Sequence, residues 1–298
     1  MNEPREEPCP LCGSGGAVPL LQVLSRRMVR CRACGLVYRS PRPVGSVVAR
    51  SPDADRTDRE LEERVGERRS RHFRRFLARA GRPGRLLDIG CGYGFFVQLA
   101  QEAGWDAIGL DPDPEAVAYA QARLRVNARC GELGDCCFPD GAFDLVTLWN
   151  VLECVPDPLG LLREVHRVLA PGGRVFIRTQ NVAWHLLNFR LARTIRRLAG
   201  RPLVGTHPYR TFIFNMNSFS RPTLHRLIER SGIVPRRVRN SRPILGDPYV
   251  GVGPGTERLM SLAKLGVHGL VQSLALVSGG RWLVGPSLEA WGWREPGR

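Results

Sequence analysis

Apolar and polar positions in this chain change period several times, and the changes mark its elements. A short apolar run, Leu86 and Leu87, reaches Asp88 and opens into Gly90-x-Gly92-x-Gly94. A helix-like stretch follows, then a second apolar run, Ala107 to Leu110, ending at Asp111. Phe143 to Leu148 predicts a strand whose tip is Trp149-Asn150. Leu159, Leu162, Val165 and Leu169 recur at helical spacing, and Ala170-Pro171-Gly172-Gly173 stops that helix and turns the chain into a strand over Val175 to Ile177. Strands alternating with helices in this order predict an α/β sheet.

The outer parts of the chain are patterned differently. Residues 58 to 80 are charged, with sparse apolar positions at Leu61, Val65, Phe73, Phe76 and Leu77, a helix packed by one narrow face. Residues 184 to 201 carry Trp184, Leu187, Leu191, Ile195 and Leu198 at helical spacing beside Arg190, Arg193, Arg196 and Arg197. Basic amphipathic helices lie on membrane surfaces or cover active sites, and both readings stay open. Residues 219 to 239 predict a helix, opened by Ser220 and Pro222, and a strand; 280 to 294 reads as a final strand. Residues 256 to 278 are apolar but broken by Lys264, Gly266, His268, Gly269, Gln272 and Ser273. That middle is too polar for the roughly 20 apolar residues of a membrane span. A helix buried against the core is the first expectation, and docking into one leaflet, flanked by Arg258, Arg281 and Trp282, the second.

The glycine cluster carries the chemistry. Glycines let a backbone turn sharply and approach a ligand closely, and the helix behind them presents free N–H groups. An acid about 20 residues on, here Asp111, can accept both hydroxyls of a ribose. A dinucleotide fingerprint would need a third glycine at position 95, which is Phe95; the third glycine here is Gly94. Asp88, inside the strand, suits a cationic amino-acid ligand better than a pyrophosphate.

These residues, with Gly131-Glu132-Leu133, Phe143-Asp144-Leu145-Val146, Val151-Leu152-Glu153 and Leu169-Ala170-Pro171-Gly172-Gly173 following in that order, resemble the class I S-adenosylmethionine-dependent methyltransferases. The resemblance implies a Rossmann-like seven-stranded sheet with helices on both faces. It implies that Asp88, Gly90, Cys91, Gly92 and Gly94 hold the methionine part of the cofactor. Asp111 and Pro112 would then lie at the ribose, Glu132 and Leu133 at the adenine, and Asn150 at the methionine and its methyl. Family members often have His after the Glu of Val-Leu-Glu; this chain has Cys154. With the resemblance, the chain divides into a ribbon at 1–40, a linker and helix at 41–84, and a methyltransferase domain at 85–298 with helical inserts at about 184–215 and 256–282.

Cys9, Cys12, Cys31 and Cys34 form C-x2-C-x18-C-x2-C, the spacing of a four-thiolate zinc ribbon. Each knuckle, CPLCG and CRACG, places a glycine where a tight turn is needed. A rubredoxin-like iron site uses similar knuckles. Four protein thiolates leave no place for water, so the expected zinc is structural, and the ribbon is expected to have a core of its own. The other five cysteines, of nine, show no metal spacing.

The chain has 44 basic and 28 acidic residues, a net charge of +16, and one lysine, Lys264. Arginine so dominant over lysine reflects coding composition as much as surface selection, yet the balance still favours anionic partners. The acidic, proline-containing start has no apolar h-region, and with reduced-thiol chemistry it points to the cytosol, with a peripheral position on the inner membrane face as a further expectation. A base is needed only for an acceptor that holds its proton tightly; Glu153, His185 and His207 are the candidates, with Glu153 and His207 first. Tyr209 and Arg210 could hold an anionic acceptor. The expected acceptor is a small molecule, a sugar or a lipid-linked glycan, because ribbon-plus-methyltransferase layouts resemble sugar-modifying enzymes. A ribosomal-RNA methyltransferase is the alternative, but Asn150-Val151-Leu152 is not the Asn-Pro-Pro-aromatic that flanks a flipped base, so nucleic acid ranks lower as a partner. A non-enzymatic ribbon protein is the third reading.

Overall fold

The structure, a computed structural model, describes residues 7–23, 26–42, 69–199, 215–242 and 254–296. Its main sheet has seven strands: β4 (Arg85–Ile89), β5 (Asp106–Asp111), β6 (Ala128–Cys130), β7 (Phe143–Trp149), β8 (Leu169–Gln180), β10 (Val234–Asn240) and β11 (Ser287–Trp293). They lie in the order β10-β11-β8-β7-β4-β5-β6. The strands β8, β7, β4, β5 and β6 run parallel, and β11 is antiparallel to both of its neighbours.

Both faces of this sheet are covered, which is why its central strands read as apolar runs rather than alternating ones. The two-residue period decides which side chain meets which layer. Leu86 and Leu145 join Phe73, Leu77, Phe96 and Val97, so they face the helices α1 (residues 69–77) and α2 (Phe95–Glu102). Leu87 and Val146 join Leu162, Val165, Leu224 and Leu227 on the other face, under α4 (Pro158–Val168) and α6 (Arg221–Arg230). The helix expected up to Leu169 ends at Val168, and β8 begins there; its pairing with β7 is interrupted between Leu169 and Arg174, where Gly172 lies at φ 78°. Phe73, Phe76, Phe96 and Phe176 pack round Trp149 with ring centroids 4.6 to 5.3 Å from it. The narrow apolar face of 58–80 thus anchors on the strand whose tip is Trp149; its first part, with the linker from residue 43, lies outside the described residues.

The ribbon is a small antiparallel sheet of β1 (Ala17–Val23), β2 (Arg26–Cys31) and β3 (Val37–Arg39), and it gains a fourth strand from far along the chain. β9 (Asn217–Ser218) pairs with β3, setting Tyr38 opposite Asn217. Asn217 also ties inward, donating from Nδ2 to the carbonyls of Leu152 at 3.2 Å and Val155 at 2.7 Å. Leu11, Val29, Leu36 and Tyr38 belong to the same continuous core as Leu87, Ile89 and Phe219. The separate ribbon core expected from sequence is therefore not found: the ribbon is built into the larger domain. A further contact comes from α5 (Val182–Ala199), whose Val182 and Leu186 pack on Met28 and Val37.

The expectation of a buried helix near 256–278 is also corrected. The helix is α7 (Pro254–Val277), and of its residues whose burial is described only Val271 and Ala275 are buried, while Leu262, Leu265, Val267, Leu270, Leu276 and Val277 are exposed. Among the described residues no helix is long and apolar enough to cross a membrane.

Candidate active site

The glycine turn leaves β4 and enters α2 with Gly90, Gly92 and Gly94 all at positive φ (70°, 52° and 82°). The three are needed for different reasons. A Cβ on Gly90 would sit 2.5 Å from Val151, and one on Gly94 would sit 2.8 Å from Ala120, so both positions require close packing. A Cβ on Gly92 would meet nothing within 4 Å. Gly92 faces open space, and its backbone N–H donates to Asp111 Oδ2 at 2.8 Å. The other carboxylate oxygen of Asp111 accepts from the N–H of Asp113 at 2.9 Å. One carboxylate at the tip of β5 thus holds the glycine turn against the entry to α3 (Pro114–Arg123).

Above this turn lies a cavity of about 650 Å³. Of the expected cofactor residues, Gly90, Gly92, Asp111, Pro112, Glu132, Leu133 and Asn150 line it. Asn150 sits at φ 60°, a conformation that Asn tolerates better than most residues. Its N–H donates to the Arg178 carbonyl at 2.8 Å, and its Oδ1 accepts from Arg178 Nη1 at 3.3 Å, so its side chain is set at the tip of β7. Sequence reasoning missed Tyr93, Trp149, Asp113, Asp157 and Glu164 in the wall. Asp113 and Asp157 had a legible signal: each precedes a proline that opens a helix, and each caps that helix.

The electrostatic character of the wall is one-sided. Asp111, Asp113, Glu132, Asp157 and Glu164 line the cavity, and among the described residues no lysine or arginine does. Such a wall repels a pyrophosphate and suits a ligand carrying positive charge.

The remaining expected residues lie elsewhere. Gly94 is behind the turn, packed on Ala120 and Val126. Cys91 directs its sulfur toward Gly109 of β5 and is not in the lining; burial, followed by the nearby Asp88 and Asp111, pushes its thiol pKa up. Asp88 is buried beneath the cavity and accepts from Thr147 Oγ1 at 2.6 Å. Burial first, and the negative charge of Asp111 second, raise its carboxyl to about 8.

Glu153 is buried, outside the cavity lining, and accepts from Thr179 Oγ1 at 2.7 Å; burial raises its carboxyl to about 7. Its other carboxylate oxygen, Oε1, has no hydrogen-bond partner among the described residues. His185 packs at the Pro286 backbone, and burial lowers its imidazole to about 4. His207, with Tyr209 and Arg210, lies outside the described residues. Cys154, at the position where the family often has His, lines the cavity.

The four ribbon cysteines form a second cluster. Their Sγ atoms all lie within 4.8 Å of one another, with Cys9–Cys34 and Cys12–Cys31 at 3.5 Å. Four thiolates bound at about 2.3 Å round one tetrahedral ion stand roughly 3.8 Å apart, so the set fits a metal closely. Gly13 and Gly35, at φ 75° and 79°, close the knuckles by donating to the carbonyls of Cys9 and Cys31.

Comparison with known proteins agrees with this geometry. A family model described as a methyltransferase domain matches residues 59–236. A ubiquinone biosynthesis O-methyltransferase of Xanthomonas oryzae pv. oryzae is 36% identical over 137 residues, which cover 43% of this chain and 56% of that protein. The corresponding protein of Xanthomonas campestris pv. campestris is 36% identical over 145 residues, covering 46% and 59%. The chain therefore spans little more than half the length of these relatives. Among solved structures, an S-adenosylmethionine-dependent methyltransferase from Archaeoglobus fulgidus superposes with a TM-score of 0.51 at 18% identity, over 80% of this chain and all of that one. A possible histamine N-methyltransferase from Thermotoga maritima gives 0.51 at 17% identity, over 81% and 98%. The seven-stranded sheet is that of these enzymes, and by its family match the chain belongs to the class I S-adenosylmethionine-dependent methyltransferases.

Proposed function

We propose that this enzyme moves the methyl group of S-adenosylmethionine to an oxygen of a small-molecule, sugar or lipid-linked acceptor. The observation that carries the cofactor part is the cavity wall, five carboxylates with no lysine or arginine among the described residues, over a glycine turn that leaves Gly92 open. A sulfonium with an α-ammonium group matches that wall. Asp111 and Pro112 would meet the ribose, Glu132 and Leu133 the adenine, and Asn150 with Trp149 the methionine end. Asp88 would act from below, its carboxylate favoured once a cation lies above it. When bound, the cofactor supplies an electrophilic methyl group, and the chain's part is alignment of the acceptor and exclusion of water.

The oxygen acceptor rests on the named relatives, which are O-methyltransferases and align over 137 and 145 residues. The ribosomal-RNA reading has no support from the strand tip: Asn150-Val151-Leu152 lacks the proline-aromatic pair beside a flipped base. The ribbon would hold one structural zinc on Cys9, Cys12, Cys31 and Cys34.

Incubating the enzyme with methyl-labelled S-adenosylmethionine and separate lipid, soluble-metabolite and RNA fractions tests the reading. Label should enter the lipid or metabolite fraction as a base-stable, acid-stable ether. Label in RNA would move the function to the alternative, and no binding of S-adenosylmethionine by calorimetry would remove the enzymatic reading altogether.

A further inference from the structure

Every exposed large apolar side chain among the described residues belongs to α5 or to the segment from Leu262 to Trp282. On α5 these are Leu187, Leu191 and Leu198, the last 83% exposed. At about 100° per residue they fall within about 40° of one another, a single outward stripe. Arg190, Arg193 and Arg197 form a second stripe roughly a quarter turn away. Val182, Leu186 and Phe189, which lie on much the same side of the helix as the arginines, pack on the ribbon.

Between the arginine stripe and the ribbon strand β1 runs a groove of about 430 Å³. Leu20, Leu21, Leu186 and Phe189 form its apolar floor, and the three arginines and Thr194 its polar side. Among the described residues it contains no carboxylate, and none of the three arginines makes an ion pair with a described residue. Three guanidinium groups beside apolar side chains match a phosphate attached to a hydrocarbon.

The second helix of this face is inverted relative to an ordinary surface helix. Val271 and Ala275, one turn apart, face the core, yet Leu262, Leu270, Leu276 and Val277 point outward. The turn that follows exposes Trp282, at 61%, next to the exposed Arg281. Both helices are fixed at one corner of the molecule, because Asn181, just before α5, donates from Nδ2 to the carbonyls of Leu283 and Gly285 at 2.7 and 2.8 Å. Neither helix is a span.

We infer that α5, the groove and α7 form a docking surface for an anionic phospholipid bilayer, with lipid phosphates seated at Arg190, Arg193 and Arg197 and the outward leucines and Trp282 in the interface. Charge complementarity decides for this occupant over a second copy of the chain: two copies carrying +16 each, meeting through arginine stripes, would repel. A leucine stripe flanked by arginines is the pattern of helices that lie in a headgroup layer. The inference does not rest on the acceptor proposed above, and its test needs no turnover.

Co-sedimentation with phosphatidylcholine vesicles, with and without phosphatidylglycerol, reads the docking directly. Binding should require phosphatidylglycerol and weaken as salt rises. Replacing Arg190, Arg193 and Arg197 together with Gln should cost about fivefold per arginine, on the order of a hundredfold in partitioning. Leu187→Ser with Leu191→Ser should also reduce binding while melting temperature and S-adenosylmethionine affinity stay at wild-type values. Equal binding to neutral vesicles, or no binding to either, overturns the inference. So does stabilisation by free inorganic phosphate equal to that by vesicles, which would make the groove a soluble-phosphate site. A light-scattering mass of two chains that falls to one in the leucine variant would assign the face to self-association instead.

Discussion

The wall of the cavity comes from a nearly continuous stretch of chain, residues 89 to 164, whereas the ribbon face is gathered from segments as far apart as Leu20, Leu186, Asn217 and Trp282. The first region is acidic inside and made of strand tips, turns and helix caps. The second is basic and apolar outside, and its parts hold together by a strand added to a ribbon and a helix laid across it. Local backbone rules are enough to build the first; the second exists only after the chain has closed on itself. Four substitutions separate the two regions, each changing one kind of attachment.

The largest effect is expected at the metal cluster. Cys31→Ser removes one of four thiolates, and structural zinc contributes roughly 10 kcal/mol or more to folding where it is bound. Because Tyr38 and Leu36 share a core with Phe219 and Ile89, the loss should spread beyond the ribbon. Thermal unfolding should show one transition, lowered by roughly 10 °C or more. Two transitions, the upper one at the wild-type temperature, would mean that the ribbon melts alone and that the shared core has little energetic weight.

Asp111→Ala acts on the cavity alone. It removes the acceptor of the Gly92 and Asp113 N–H groups together with the proposed ribose partner. Two charge-assisted hydrogen bonds at about 1.5 kcal/mol each correspond to roughly a hundredfold weaker cofactor binding. Calorimetry with S-adenosylhomocysteine measures it, and the ribbon's metal content should not change. An affinity within a few-fold of wild type would remove Asp111 from the site.

How far each region could be seen in the sequence follows from the same contrast. The turn of Gly90, Gly92 and Gly94 and the acid Asp111 that closes it were legible because they depend on spacing within one strand-turn-helix unit. The seven-stranded sheet was legible because its apolar runs and helix stops are local as well. Trp149 was legible as a strand tip but not as cavity wall, since that depends on α1 filling its other side. Glu153 is the opposite case. Its motif marked a carboxylate, but its burial and its bond from Thr179 of the neighbouring strand depend on how the turn after β7 packs. The pairing of β3 with β9 has no local signal, because two residues, Asn217 and Ser218, make a strand only through their partners. The outward leucines of α7 were misread for a related reason: periodicity gives a helix, and an apolar helix was assigned to the core by default.

Asn217→Ala tests that nonlocal attachment. The buried carboxamide joins the ribbon strand to the carbonyls of Leu152 and Val155, which lie just past the cavity's Asn150. Losing both bonds leaves two buried acceptors unpaired, at about 2 kcal/mol. Denaturant unfolding should show the loss, with a smaller weakening of cofactor binding because Val155 lines the cavity. An unchanged midpoint would show that the side chain is not what joins the two regions.

The most specific effect belongs to Asp88. Burial raises its carboxyl to about 8 in the folded protein, from 3.8 in an exposed chain. Between those values the folded state holds a proton that the unfolded state has lost, so the contribution of this group to stability must fall as pH rises from about 4 to about 8. Asp88→Asn removes the titration and keeps an oxygen that can accept from Thr147. The wild type should therefore lose stability relative to the variant between pH 5 and pH 8, by about 1.4 kcal/mol for each unit of upward shift realised in solution. A bound cation reverses the preference, because it favours the carboxylate. Binding of S-adenosylmethionine near neutral pH should then release a proton in the wild type and none in the variant, measured as calorimetric heats in buffers of different ionisation enthalpy. Equal proton release by both proteins would take Asp88 out of contact, electrostatic or direct, with the cofactor.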